Sequence, residues 1–219
     1  MKDVKAPACR ICGADRSEPF QAVQSQDYWR CAACAGVFLD ASQLPDAATE
    51  CARYALHQND PADARYRGFL NKLAEPLMQK LAPGREGLDY GCGPGPALAR
   101  MLAEAGHRVT LYDPFFHTDA SALERTYDFI TCTEVAEHFH DPAREFARLD
   151  SLLRPGGWLG IMTCFLPDGQ RFDEWHYRRD ETHVAFYRPE TFHRLAGQFG
   201  WHCEIPVKDI VLMRKSAAA

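Results

Sequence analysis

Four cysteines in two C-x2-C pairs, Cys9 with Cys12 and Cys31 with Cys34, are the first residues whose spacing implies chemistry. Two thiolates two residues apart grip one ion from a tight turn, and two such pairs close a tetrahedron of soft ligands that suits structural zinc. Gly13 and Gly36 stand where each turn calls for a permissive backbone. Reactivity has to come from elsewhere, because a closed four-thiolate site supplies folding energy only. Gly91-x-Gly93-x-Gly95 is a glycine loop, and Pro96 follows it where a dinucleotide fingerprint has glycine or alanine, which argues against a pyrophosphate ligand. Glu134-x-x-Glu137-His138 gathers oxygen and nitrogen donors, the first and fourth sharing a face if the segment is helical. Imidazole as a group titrates near neutrality, so His138 or His183 can serve as general base. Residues 172–180 crowd Trp175, Tyr177, Arg178 and Arg179, which could stack on a flat ring and fork onto a carboxylate or phosphate. A flap with merely solvated arginines reads equally well.

These residues need a scaffold, and the pattern supplies one. Residues 1–44 read as a zinc ribbon. Residues 45–63, polar and punctuated by Pro45 and Pro61, read as a linker, and 64–219 as the main domain. Apolar residues from Tyr66 to Leu81 recur at helical spacing, with Pro76 near the end. Strands are expected at 87–90, 108–112, 129–131 and 158–163, with further ones near Cys203 and Val211, and helices at 96–105 and 189–199. Alternation of this kind implies an α/β fold, a Rossmann-like doubly wound sheet that is mostly parallel with an antiparallel C-terminal strand.

At Leu88-Asp89-Tyr90-Gly91-Cys92-Gly93-Pro94-Gly95 the chain resembles the class I S-adenosylmethionine (SAM) dependent methyltransferases. The resemblance continues at 127–138 and 152–158 and covers about 64–214. It implies SAM as cofactor, held by Asp89, Gly91, Cys92, Gly93, Gly95, Asp113 and Thr133, with Asp113 accepting from the ribose hydroxyls. Between Asp113 and Tyr127 there is room for a short connection only, where the family fits a helix and a third strand. The segment 114–117 is a candidate cover for the adenine. Glu134, Glu137 and His138, with the downstream phrase that runs from Thr182-His183 to Pro189-Glu190, are similar to the ubiquinone-pathway O-methyltransferases. That likeness implies a magnesium-like divalent ion on Glu134, Glu137, His138 and His183. Some deoxysugar C-methyltransferases begin with a ribbon closing in a phrase like Val37-Phe38-Leu39-Asp40.

The 219 residues carry a formal net charge of -5, so a basic surface for nucleic acid is missing, and a nucleic-acid methyltransferase is the disfavoured reading. A second alternative is a non-catalytic SAM-binding module whose ribbon docks a protein or carrier partner. The opening residues lack an apolar leader, and no apolar run approaches the roughly 18 residues that span a bilayer. Nine cysteines, an odd number, fit a reducing cytoplasm with thiols free or on metal, and Cys92, Cys132, Cys164 and Cys203 read as small buried hydrophobes. The expected activity is in-line methyl transfer from SAM to a small-molecule acceptor through an oxygen nucleophile.

Overall fold

The computed structural model describes residues 6–56, 59–169 and 171–217; the opening five residues lie outside it. The chain starts with the hairpin β1 (Ser17–Val23) and β2 (Gln26–Cys31), followed by β3 (Val37–Leu39). Within the segment expected to be a linker there is a helix, α1 (Ala47–Tyr54), whose start is fixed by Asp46 accepting from the Thr49 N–H at 2.8 Å.

The main domain follows as α2 (Ala64–Met78), β4 (Glu86–Tyr90), α3 (Ala97–Glu104), β5 (Arg108–Tyr112), β6 (Tyr127–Thr133), α4 (Pro142–Leu152) and β7 (Leu153–Met162). It closes with β8 (Ala185–Phe186), α5 (Pro189–Phe199), β9 (His202–Glu204) and β10 (Ile210–Arg214). Six strands lie in the order β5-β4-β6-β7-β10-β9, with β5, β4, β6 and β7 parallel and β10 antiparallel to both β7 and β9. The chain order reverses direction at β4, and the carboxyl ends of β4 and β6 therefore flank the crevice where ligands of such sheets bind. The connection after Asp113 is as short as expected: a bridge to His117 and one 3-10 turn (Ala120–Glu124) lead into β6, so β5 is an edge strand.

Both faces of the sheet are covered. Leu70, Leu73 and Leu77 of α2 join Leu98 and Leu102 of α3 over Phe129, Trp158 and Leu212. On the other face, Phe146 and Leu149 of α4 and Phe192 and Leu195 of α5 pack on Ile130, Leu159 and Val211. The four paired cysteines and Ile11 belong to this same core, so the ribbon shares its hydrophobic interior with the sheet. Gln198 donates to the Cys12 carbonyl and Thr191 to that of Cys34, both at 2.8 Å. Moreover β8, from the main domain, pairs with β3 and completes a four-stranded sheet β1-β2-β3-β8.

Candidate functional site

Cys9 Sγ lies 3.8 Å from Cys34 Sγ, and Cys12 Sγ lies 3.7 Å from Cys31 Sγ, all four buried and within 4.8 Å of one another. Sulfurs about 2.3 Å from a central ion form a tetrahedron with edges of about 3.8 Å, so the spacing fits zinc. The backbone N–H groups of Cys12 and Ala33 point at Cys9 and Cys31 Sγ at 3.4 and 3.3 Å. Gly13 takes the left-handed conformation expected of it, with φ 73°. In the second turn, however, Ala35 takes it with φ 60°, and Gly36 serves differently: a Cβ there would stand 2.5 Å from Ile11 Cδ1.

The glycine loop leaves the end of β4 into a cavity of about 750 Å³. Gly91, at φ 76°, has no room for a side chain because Val135 Cγ2 would lie 2.5 Å away, and a Cβ on Gly95 would stand 1.9 Å from the Asn59 carbonyl oxygen. The loop is tied to the tip of β5 through Asp113. Its Oδ2 accepts from Gly93 N at 2.9 Å, and its Oδ1 accepts from Phe115 N and Phe116 N at 2.8 and 3.0 Å. Asp89, beneath the loop, is buried and accepts from Thr131 Oγ1 at 2.7 Å, and burial raises its pKa to about 6. Thr133 Oγ1 is buried on the cavity wall and has no hydrogen-bond partner among the described residues, which leaves a polar atom for a ligand to satisfy. Asp89, Gly91, Cys92, Gly93, Gly95, Asp113 and Thr133 thus all line one cavity. Cys92 is half-buried rather than enclosed, as are Cys164 and Cys203, whereas Cys132 is fully buried.

Across from the loop β6 is followed by Glu134, whose φ of 53° takes it out of any helix, and Glu137 and His138 then fall on a single 3-10 turn (Ala136–His138). The shared helical face expected for Glu134 and Glu137 is replaced by this tight turn. Glu137 is completely buried: its Oε2 accepts from Thr163 Oγ1 at 2.8 Å and its Oε1 from the Tyr177 hydroxyl. Tyr177 OH also lies 3.3 Å from Glu134 Oε2. Burial, then the nearby charge of Glu137, raises the Glu134 pKa to about 9, so near neutral pH Glu134 holds a proton. A phenol has a single proton to donate, and that of Tyr177 goes to Glu137; the bond to Glu134 therefore uses the proton of Glu134 itself.

The two histidines meet above this network with ring centroids 4.7 Å apart. His138 Nδ1 is 2.9 Å from the Thr182 carbonyl and His183 Nδ1 is 2.6 Å from that of Tyr177. A carbonyl only accepts, so Nδ1 carries a proton in each ring, and in the neutral form the lone pair falls on Nε2. Burial lowers the pKa of His183, which favours this neutral form. The ribbon helps place His183: Leu39 N donates to Val184 O at 2.9 Å, while Val184 N donates to Glu137 O at 2.8 Å. One donor oxygen or nitrogen from each of Glu137, His138 and His183 lies within 4.8 Å of the others; Glu134 is outside that set among the described residues.

The residues expected to select substrate are placed otherwise. Trp175, Tyr177, Arg178 and Arg179 do not line the large cavity. Trp175 and Tyr177 are buried with Phe172, Tyr28 and Phe186, and Arg178 Nη1 donates to Gln26 Oε1 at 3.2 Å. The cavity is roofed instead by α1. Tyr54 sets its ring 5.0 Å from that of His138 and 5.5 Å from Phe115, and Glu50 reaches to 3.1 Å from His140 Nε2. Arg53 pairs with Asp180 at 2.7 Å. Glu50, Tyr54, Asn59, Thr163 and Asp180 were not singled out by sequence spacing; the capping Asp46 was the one local sign that a helix stands there.

Residues 58–204 match the methyltransferase domain family. The ubiquinone biosynthesis O-methyltransferase of Thiobacillus denitrificans is 32% identical over 132 residues, 49% of this chain and 53% of that protein. Its counterpart from Bordetella avium is 31% identical over 121 residues, 43% of this chain and 50% of that protein. The chain thus spans about half the length of the curated relatives it matches. Among solved structures, the 1,6-didemethyltoxoflavin-N1-methyltransferase of Burkholderia thailandensis, with 1,6-didemethyltoxoflavin and S-adenosylhomocysteine bound, superposes with a TM-score of 0.57. It is 19% identical, covering 91% of this chain and 99% of that one, a likeness of fold. No helix among the described residues is long and apolar enough to cross a membrane.

Proposed function

The chain belongs to the methyltransferase domain family, and from that premise we propose that it transfers a methyl group from SAM to an oxygen of a small-molecule acceptor. When bound, SAM supplies a methyl group on a positively charged sulfur, already activated for in-line displacement. The residues present fit it: a glycine loop with no room for a side chain at Gly91 or Gly95, a buried carboxylate at the tip of β5, and the unsatisfied Thr133 hydroxyl converge on one cavity. Asp113 would both hold the loop and accept from a ribose diol, since a carboxylate has acceptor capacity beyond the three N–H groups it already takes. The names of the curated relatives support oxygen as the acceptor atom.

The observation that carries the chemistry is the fixed tautomer of the two histidines. His183, neutral and with Nε2 bare, is the general base of choice, and His138 stands beside it in the same tautomer. The Tyr54, Phe115 and Phe116 rings on the cavity wall suit a flat aromatic acceptor whose hydroxyl needs deprotonation. Trp175, Tyr177 and Arg178 act in this reading as the wall behind the site, and Arg179 is exposed. A divalent ion on Glu137, His138 and His183 is a second reading, favoured by the closeness of their donor atoms. Two imidazoles and one carboxylate suit a zinc- or iron-like ion better than magnesium, which prefers oxygen ligands. In the ribbon (1–44), Cys9, Cys12, Cys31 and Cys34 would hold structural zinc, and α1, within 45–63, roofs the site between the ribbon and the core (64–219).

Turnover of SAM to S-adenosylhomocysteine with a panel of aromatic hydroxyl compounds tests the proposal. His183→Ala should lower kcat by about a hundredfold or more while SAM affinity is kept. Activity that survives chelation but falls at acid pH in wild type, with the acid limb lost in His183→Ala, identifies the base. Activity abolished by chelation identifies the ion. No turnover with any acceptor, together with no SAM binding, would sink the proposal.

A further inference from the structure

A second cavity, of about 320 Å³, lies at the seam between the N-terminal hairpin and the segment after β7, and it shares no lining residue with the first. Phe20 and Arg30 line it from the hairpin, Leu166 and Phe172 from the segment beyond β7, and Arg188 from the start of α5. We propose that this seam is an oxyanion-binding site, in which Arg30 and Arg188 receive a phosphate or carboxylate group.

Arg30 is set for such a ligand. Its guanidinium carbon stands 3.9 Å above the centre of the Phe20 ring, which fixes the plane of the fork. Its Nε is buried and has no hydrogen-bond partner among the described residues, and no carboxylate among them lies within ion-pair distance of it. Arg188 adds a second positive charge across the cavity. Burial and then the charge of Arg188 both disfavour the charged form of Arg30, and Glu18, directly opposite it in the β1–β2 pair, acts against them. The remaining charges are accounted for: Arg171 pairs with Asp173 and Glu174, and Arg188 with Asp168, whose side chain is 92% exposed and can yield to a competing anion. Two guanidinium groups facing one cavity repel each other, and an oxyanion between them would offset that repulsion and satisfy the unpartnered Arg30. The planar fork of arginine matches phosphate and carboxylate bidentately.

Calorimetric titration of the full chain with inorganic phosphate and, separately, with acetate, against chloride at matched ionic strength, tests the site without reference to methyl transfer. Saturable binding with Kd of about 1 mM or tighter is expected, at least about tenfold weaker in Arg30→Gln. Arg30→Lys, which keeps the charge but loses the fork, should fall between. Should either variant fail to fold, the Arg30 Nε–H resonance of the wild-type protein should shift on adding phosphate or acetate and not chloride. A response to phosphate alone assigns a phosphate site, and a response to both assigns a general oxyanion site. Binding unchanged in folded Arg30→Gln, or an Arg30 resonance that responds to neither anion beyond chloride, would overturn the proposal.

Discussion

Replacing Tyr177 by Phe removes one oxygen atom and tests the buried network beneath the two histidines. The ring would stay where it packs, 4.2 Å from the His183 ring and 5.3 Å from that of Trp175, and the backbone carbonyl that accepts from His183 Nδ1 is untouched. What disappears is the donor to Glu137 Oε1, the acceptor for the proton of Glu134, and a weak acceptor for Cys164 N at 3.3 Å. A hydrogen bond to a buried carboxylate is worth about 1.5–3 kcal/mol, and leaving Glu134 without an acceptor adds to the loss. The expected destabilisation is therefore about 2–3 kcal/mol, or roughly 5–10 °C in Tm for a chain of this size. Denaturant titration of wild type, Tyr177→Phe, Glu137→Gln and the double variant measures the coupling directly. A coupling energy below about 0.5 kcal/mol would refute the network as described. Because the His183 tautomer is set by the backbone, the acid limb of any pH–rate profile should survive in Tyr177→Phe.

Glu134→Gln should stabilise the chain, increasingly so at higher pH. The folded protein keeps on Glu134 a proton that the unfolded chain releases, so wild-type stability falls as pH rises from the ordinary glutamate range to about 9; a gain of less than ~1 kcal/mol between about pH 6 and about pH 8 would contradict the burial argument. Asp113→Ala should weaken SAM binding by roughly 1.5–3 kcal/mol, measured by calorimetry, because it frees the glycine loop as well as removing an acceptor; unchanged affinity would remove Asp113 from the site. Metal analysis should find about one zinc per chain, and Cys31→Ser should lower Tm and turnover together, since the ribbon strand β3 is paired with the strand that follows His183; zinc well below one equivalent with unaltered stability would exclude the ribbon site.

Some of this protein was legible residue by residue. The doubled C-x2-C pairs and the G-x-G-x-G loop are local devices: a few consecutive residues fix the backbone that brings sulfur or N–H groups to a ligand, and spacing alone therefore discloses them. The same holds for the alternation of strands and helices, which required a mostly parallel sheet with its crevice at the end of β4. Tertiary structure decided the rest. That Gly36, unlike Gly13, is demanded by the approach of Ile11, and that Gly95 is demanded by the Asn59 carbonyl, depends on segments distant in sequence. Tyr177 reads along the chain like an exposed aromatic among arginines, yet it is buried between two glutamates because the 3-10 turn that carries it folds back under β6. The segment read as a linker became the roof of the cavity for the same reason: Tyr54 finds His138 and Phe115 only once both strands end at one edge. Hydrogen-bond partners and the protonation of Glu134 follow from desolvation, and desolvation is a property of everything packed around a group, which no local pattern of residues carries.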